Sequence, residues 1–190
     1  MAQYNMPKPN EALKDFFKDN DVYASVFNDF LFKKKIVDPN DLEPEDSAYA
    51  ETIIKNNNTV KINKYRDIVR RTKQGHLIIG IEDQDKIHYA MPVRKMLYDS
   101  LSYTAELSAI AANAEDKTKW SVDEKLSNVP KGTKLAPTIT VVFYTGENKW
   151  DGPNSLHDML NVDGSINRYI PDYPLHVIDL GHDPNLSFSN

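Results

Sequence analysis

The sequence predicts an α/β fold of the α+β type, in which helices flank a mixed central sheet. Apolar residues recur at helical spacing in two separate segments, one near the start of the chain and one near its middle. Short apolar, β-branched runs lie on either side of the second helical segment. We therefore expect the order helix, strand, strand, strand, helix, strand, with additions.

The composition limits the class of protein. With 190 residues, 40% of them hydrophobic, the chain is long enough for one domain with a real core. It contains no cysteine, which excludes a disulfide scaffold and a cysteine-based zinc site and suits a reducing compartment. No apolar run approaches the ~20 residues that a membrane helix needs, and residues 1–20 are polar, without an apolar h-region. We therefore expect a soluble, cytoplasmic protein with no membrane partner.

The pattern along the chain divides it into an arm at 1–20, one domain at 21–180 and a polar tail at 181–190. The first predicted helix spans 21–34, with Asn20 or Asp21 as its N-cap. An acidic, proline-containing loop follows at 38–46, and two strands at 59–71 and 76–81 form a predicted hairpin.

The second half of the domain begins with a long predicted helix, in which Pro92 occupies the first turn and which fades after residue 113. Residues 120–134 are predicted to be a loop, and 137–144 and 174–180 to be strands. Between these strands, 155–160 predicts a short helix capped by Ser155, with Asp158 in a variant of the capping box.

Charge is distributed unevenly along the chain. The net charge of −5 argues against a general nucleic-acid-binding protein. The segment 55–76, however, holds seven lysines and arginines and a single acid, Asp67. Such a run is usually a solvated strand and turn, but that interpretation leaves the single aspartate unexplained.

The predicted hairpin has a two-residue turn, Lys73–Gln74. In that register Asp67 lies opposite Gly80, and Glu82 is its diagonal neighbour on the same face of the sheet. A turn longer by one residue would place the two acids on opposite faces, so the prediction depends on register.

Two adjacent carboxylates repel each other unless a cation lies between them. Mg²⁺ is commonly held by one or two carboxylates together with waters and phosphate oxygens. Gly80 opposite Asp67 would leave room for a ligand, and the surrounding lysines and arginines would attract a phosphate backbone. The pattern therefore predicts a metal site within a basic surface.

Asp67, fourteen intervening residues and then Glu82-Asp83-Gln84 resemble the PD-(D/E)XK nuclease motif. The flanking segments YRD, GIEDQ, IHYAMPVRKMLYDSLSY and VVFYTGENKWDGPNSLHDML are similar to the transposase-like branch of that superfamily, the recombination-promoting nucleases. The resemblance covers about residues 20–180. The bare spacing is common by chance, whereas the GIEDQ and WDGP segments are much more specific.

The resemblance implies a restriction-endonuclease-like αβββαβ core and a Mg²⁺-dependent endonuclease that hydrolyses DNA phosphodiesters, in recombination or mobile-element processing. It implies that Asp67 and Glu82 bind Mg²⁺, that the carbonyl of Asp83 adds a ligand, and that Mn²⁺ can substitute. Many such nucleases cut both strands as dimers, so a homodimer is compatible with it. The superfamily's usual lysine is Gln84 here, as in the branch itself. Glutamine can hydrogen-bond the attacking water but cannot accept its proton.

The resemblance points to further site residues. On the first helix, Asp29 is a candidate by position and Asn28 by family pattern. On the long helix, Arg94 and Tyr98 lie four residues apart, so they share a face and would either contact the scissile phosphate or brace an acid. The residues expected to contact DNA are Lys64, Arg66, Arg70, Arg71, Lys73, Arg94 and Tyr98.

Other interpretations remain open. Asp67 could pair with a neighbouring arginine, and Glu82 could mark the exit of a strand to solvent. The chain could be a catalytically inactive descendant that binds DNA or a protein, or a structure-specific resolvase with the same core. Relatives in this branch commonly continue with a helical region, so a missing C-terminal region is also an expectation.

Overall fold

The computed structural model describes residues 15–45, 67–75, 77–161 and 164–183. Five strands form one mixed sheet in sequence order. They are β1 Leu42–Pro44, β2 Ile68–Thr72, β3 Ile78–Gln84, β4 Thr138–Tyr144 and β5 His176–Asp179. Strands β1 to β3 pair antiparallel, whereas β3 pairs parallel with β4, and β4 parallel with β5. The predicted α+β class with a mixed sheet is confirmed.

The described helices lie before the first strand and between the strands. Helix α1 spans Asn20–Ser25 and continues as a π-helix, Val26–Phe32; α2 spans Met91–Ala112, and α3 spans Val122–Ser127. Single turns of 3₁₀-helix lie at Pro39–Asp41, Lys117–Lys119, His157–Met159 and Asn167–Tyr169. None of the helices in the described ranges is long and apolar enough to cross a membrane.

Helix α1 and its π-helical continuation cover one face of the sheet. Tyr23 and Phe27 are fully buried, and they belong to the same core cluster as Ile79 and Ile81 of β3. Phe17, which the sequence placed in the N-terminal arm, is also fully buried and meets the ring of Phe143 edge-on at 5.1 Å. The aromatic residues thus make this face a continuous apolar layer.

Helix α2 covers the other face. Because side chains alternate along a strand, Ile78, Gly80, Glu82 and Gln84 face α2, whereas Ile79, Ile81 and Asp83 face α1. The contacts of α2 agree with this division: its Asp99 meets Thr140 Oγ1 at 3.3 Å, and Thr138 N donates to Tyr103 Oη at 3.2 Å. Buried polar groups therefore line the contact between α2 and the sheet.

The start of the first helix differs from the prediction. The N-cap is Asp19, whose Oδ1 accepts from Asp21 N at 2.8 Å, and not Asn20 or Asp21. The Asn20 amide instead donates to the carbonyls of Pro39 and Leu42 at 3.1 and 3.0 Å. Long-range hydrogen bonds thus take precedence over the local capping role.

Three predicted segments are corrected. The loop predicted at 38–46 contains β1, an edge strand, and the loop predicted at 120–134 contains α3. The helix predicted at 155–160 is a single 3₁₀ turn that Ser155 does not cap. Its Asp158 carboxylate instead accepts from the backbone N–H groups of Asn154 and Ser155, at 2.8 and 3.0 Å. The part of the predicted strand at 59–66 lies outside the described residues.

The register of the hairpin also differs. Val69, not Asp67, pairs with Gly80, and Ile68 pairs with Ile81. Thr72 N donates to Leu77 O at 3.0 Å, so the connection is residues 73–76 and is two residues longer than predicted. A shift of two residues keeps every side chain on its predicted face, because the side-chain period of a strand is two.

Candidate functional site

Asp67 and Glu82 lie on adjacent strands at one end of the sheet. Asp67 immediately precedes β2, and continuing the observed register places it directly opposite Glu82, on the same face. The backbone N–H of Asp83 donates to Asp67 Oδ2 at 3.0 Å. The structure therefore brings these two acids together, as directly opposed residues instead of diagonal neighbours.

Glu82 forms an ion pair with the first turn of α2. Arg94 Nη2 donates to Glu82 Oε2 at 3.1 Å. The glutamate side chain is only 1% exposed and the arginine side chain 18%. A charged hydrogen bond in so buried a position is weakly screened by solvent, so Arg94 is a major influence on the charge of the site.

Tyr98, one helical turn further along α2, completes this group. Its hydroxyl accepts from Arg94 Nη2 at 3.0 Å, and the guanidinium lies 5.6 Å from the ring centroid. Burial raises the pKa of Tyr98, and the charges of Glu82 and Asp67 add to the increase, against the opposing hydrogen bond from Arg94. The four predicted residues Asp67, Glu82, Arg94 and Tyr98 thus share one electrostatic environment.

Asp83 and Gln84 occupy different positions. The Asp83 carboxylate is 6% exposed and faces α1, away from Glu82. Its carbonyl oxygen accepts from Gln84 Nε2 at 2.8 Å. Gln84 itself faces α2, two residues beyond Glu82, so its side chain emerges on the same side of the sheet as the two acids.

The donor atoms of this site suit a hard cation. Within the described residues, no group of three or more His, Cys, Asp or Glu side chains could hold a metal ion. The site offers two carboxylates, from Asp67 and Glu82, beside the carbonyl of Asp83. Mg²⁺ commonly uses one or two carboxylates and completes its octahedron with waters and phosphate oxygens. The oxygen-only donor set therefore fits Mg²⁺.

The predicted basic residues of β2 are engaged within the protein. The Arg70 guanidinium lies 5.2 Å from the Tyr23 ring centroid and donates to Phe17 O at 3.3 Å. Arg71 binds both carboxylate oxygens of Glu45, at 2.8 and 3.3 Å. These contacts leave little of either guanidinium for DNA.

The remaining predicted residues are dispersed. Lys73 donates to Asn40 O at 2.6 Å and lies six residues from Asp67, about 20 Å along the strand. Lys64 and Arg66 lie outside the described residues. Asn28 Oδ1 accepts from Ile36 N and Val37 N, both at 2.8 Å. Asn28 and Asp29 belong to the helical layer on the α1 face, so the described contacts do not join them to Glu82.

A second buried ion pair was missed by the sequence reasoning. Lys95 Nζ donates to Asp99 Oδ2 at 2.8 Å, and both side chains are almost completely buried. This pair follows the Arg94–Tyr98 pair by one position along α2 and faces Thr140 of β4. The signal was present, because RKMLYD contains two overlapping pairs at a spacing of four residues.

The WDGP loop is held at the same end of the sheet, where β3, β4 and β5 finish. Asp179, the last residue of β5, accepts from Trp150 N and contacts the His182 ring, both at 2.9 Å. Burial acts to raise the pKa of Asp179, but these hydrogen bonds and the charge of His182 outweigh burial and lower it. Trp150 packs edge-on against Tyr144 at 5.3 Å, so it anchors the loop.

Comparison with known proteins gives one match. The profile of a family described as "Putative transposase, YhgA-like" matches residues 8–187. The match therefore includes every described residue and both strands that carry Asp67 and Glu82. No curated protein and no solved structure matches the chain.

Proposed function

Because the chain belongs to the YhgA-like transposase family, we propose that it is a Mg²⁺-dependent DNA endonuclease that hydrolyses phosphodiesters in recombination or mobile-element processing. Membership of the family supports a transposase-like role and DNA as the partner. The observation that carries the nuclease proposal is the placement of Asp67 opposite Glu82 on one face of the sheet.

Two carboxylates on one face would offer a divalent cation two anionic oxygen ligands, the number that Mg²⁺ commonly uses. When bound, Mg²⁺ would lower the pKa of a coordinated water and stabilise negative charge on the phosphate. Asp67 and Glu82 would hold the ion and set its position relative to the sheet edge. Arg94 would supply a fixed positive charge next to Glu82.

Gln84 would orient the attacking water. Its Nε2 is engaged with the Asp83 carbonyl, so Oε1 is the atom that can accept a hydrogen bond from a water. An amide cannot take a proton at neutral pH, so Gln84 would position the water without acting as a general base. Proton removal would then fall to solvent or to a phosphate oxygen of the substrate.

Cleavage of supercoiled plasmid tests this proposal. We expect nicking with Mg²⁺ or Mn²⁺ that EDTA abolishes, and a loss of more than about 100-fold in Asp67→Asn and Glu82→Gln, because even outer-shell partners of metal ligands cost 10–100-fold. Asp123→Asn, an exposed acid in the first turn of α3, is the matched control and should cleave normally. Equal activity in all four proteins would refute the assigned site.

The alternative is an inactive descendant, and Gln84 does not favour it, because the resembling branch carries glutamine at that position as well. A folded wild-type protein that retains DNA, equally in all variants, but never cleaves it would establish this alternative. Comparing the cleavage of branched and linear DNA tests the second alternative, a structure-specific resolvase, which would cleave only the branched substrate.

A further inference from the structure

We propose that Arg94 couples metal binding to phosphate binding, so that the Asp67–Glu82 site takes up its divalent cation together with a DNA phosphate and binds the cation poorly alone. This inference rests on the proposed function, since it concerns the same site. It assigns to Arg94 a positioning role that depends on its contact with Glu82.

The guanidinium cation of Arg94 lies beside the carboxylate that would bind the metal. Arg94 Nη2 lies between Glu82 Oε2 and the Tyr98 hydroxyl, at 3.1 and 3.0 Å. The guanidinium also lies 5.6 Å from the Tyr98 ring centroid, within range of a cation–π contact. The tyrosine and the rigid helix therefore hold the arginine against the carboxylate that the metal needs.

The charges of the three side chains decide the direction of the effect. Asp67, Glu82 and Arg94 together carry −1, and a bound divalent cation makes this +1, which matches the −1 of a phosphodiester. Without Arg94 the two acids carry −2, and the metal-loaded site is neutral. Arg94 thus weakens the attraction for the metal alone and strengthens the attraction of the loaded site for phosphate, in surroundings where charges are weakly screened.

The guanidinium has a further donor for the incoming phosphate. Arg94 Nε makes no hydrogen bond to any of the described residues, although it is buried. A guanidinium can bind two oxygens through adjacent N–H groups. Because the arginine side chain is 18% exposed, a small shift of the guanidinium would bring Nε to a phosphate while Nη2 stays beside Glu82. Because coupling between two ligands is reciprocal, DNA then strengthens metal binding by the same factor as metal strengthens DNA binding.

Direct binding of Mn²⁺, measured from the free-ion signal in electron paramagnetic resonance, tests the coupling without relying on activity. Each protein is titrated alone and with a short duplex carrying non-hydrolysable phosphorothioate linkages, and the duplex alone serves as the blank. We expect the duplex to tighten Mn²⁺ binding to the wild type by at least about 10-fold, within the 5- to 150-fold range of typical couplings.

Arg94→Gln should bind Mn²⁺ alone about 10-fold more tightly than the wild type and should lose most of the effect of the duplex. Arg94→Lys keeps the positive charge and should keep the weak binding of Mn²⁺ in the absence of duplex. This variant tests whether the charge of Arg94, and not the shape of its side chain, weakens metal binding. Arg168→Gln is the matched control, because Arg168 stacks on Tyr169 and donates to its hydroxyl as Arg94 does with Tyr98, but at an exposed position. It should behave as the wild type.

Two results would overturn the inference, and they differ in what they say of the proposed function. If Arg94→Gln and wild type bind Mn²⁺ equally, with and without duplex, while Glu82→Gln abolishes binding, the metal site stands and the coupling is refuted. If neither wild type nor any Arg94 variant binds Mn²⁺ while circular dichroism shows them folded, the metal site itself is refuted.

Discussion

At the scale of single residues, the same side-chain chemistry serves two different purposes in this protein. Glu82, on the central strand β3, and Asn28, on the π-helix that covers the sheet, are both buried polar residues. Glu82 shares its site with Asp67, Arg94 and Tyr98, whereas Asn28 binds only nearby backbone in the described structure. Sequence reasoning could name both as candidates, but only the register of the sheet and the path of the chain after the helix separate their roles.

Asn28→Ala should lower the free energy of unfolding by about 2–3 kcal/mol, because it removes three hydrogen bonds to the backbone of Ile36 and Val37. Urea denaturation measures this change, and the exposed Asn154→Ala should stay within about 0.5 kcal/mol of the wild type. The Mn²⁺ affinity of folded Asn28→Ala should be unchanged. A large loss of Mn²⁺ affinity would instead place Asn28 in the metal site.

At the scale of elements, segments with a clear apolar pattern were predictable, including the four-residue β5, whereas β1 was not. The apolar runs of β3 and β4 and the helical spacing of α2 gave their types and approximate bounds. Strand β1 has only three residues and lies in an acidic segment, so nothing in its own pattern distinguishes it from a loop. It exists because β2 offers it a free edge.

Helix α3 is a different case, because its signal was present in the sequence. Ser121 and Glu124 form a complete capping box: Glu124 N donates to Ser121 Oγ at 3.2 Å, and Ser121 N donates to Glu124 Oε2 at 2.7 Å. The motif S-x-x-E predicts such a start, but the polar composition of residues 120–134 concealed it.

Ser121→Ala should destabilise the protein by about 1 kcal/mol, as the loss of an N-cap hydroxyl typically does. Equilibrium denaturation in urea measures the difference. Ser100→Ala, at an exposed position within α2, is the matched control and should be neutral or slightly stabilising because alanine favours helix. If Ser121→Ala and Ser100→Ala have the same free energy of unfolding, the capping box does not stabilise α3 in solution.

At the scale of the whole molecule, the two faces of the sheet differ in chemistry. The α1 face carries the aromatic and aliphatic core, with Asn28, Arg70 and Asp83 buried at its margins. The α2 face has a smaller apolar cluster and buries charged and polar groups, among them Glu82, Lys95, Asp99 and Thr140. The sequence predicted the sheet and the presence of helices on it. It could not predict this division, because assigning a face requires the register and the contacts of α2, which no local pattern contains.

We expect the free energy of unfolding to decrease when the pH is lowered from neutral. Burial, followed by the charge of Lys95, lowers the pKa of His176 below its ordinary value of 6.5. The unfolded chain then binds a proton more readily than the folded protein, so the free energy of unfolding decreases as pH falls through about 6.5. Urea denaturation at pH 7.5 and pH 5.5 should show this decrease, and His176→Gln should reduce it. The same decrease in the variant would assign it to other groups.

The connection between β2 and β3 has a consequence for how this protein can tolerate changes of length. If the turn keeps its four residues and the strands re-pair around it, a change of two residues between Thr72 and Leu77 preserves the side of the sheet on which Asp67 and Glu82 meet, whereas a change of one residue turns one of them toward the aromatic layer. Insertions and deletions in this turn should therefore be accepted in even numbers. In a library of variants that differ in the length of this turn, those that retain function should differ from the natural length by an even number of residues.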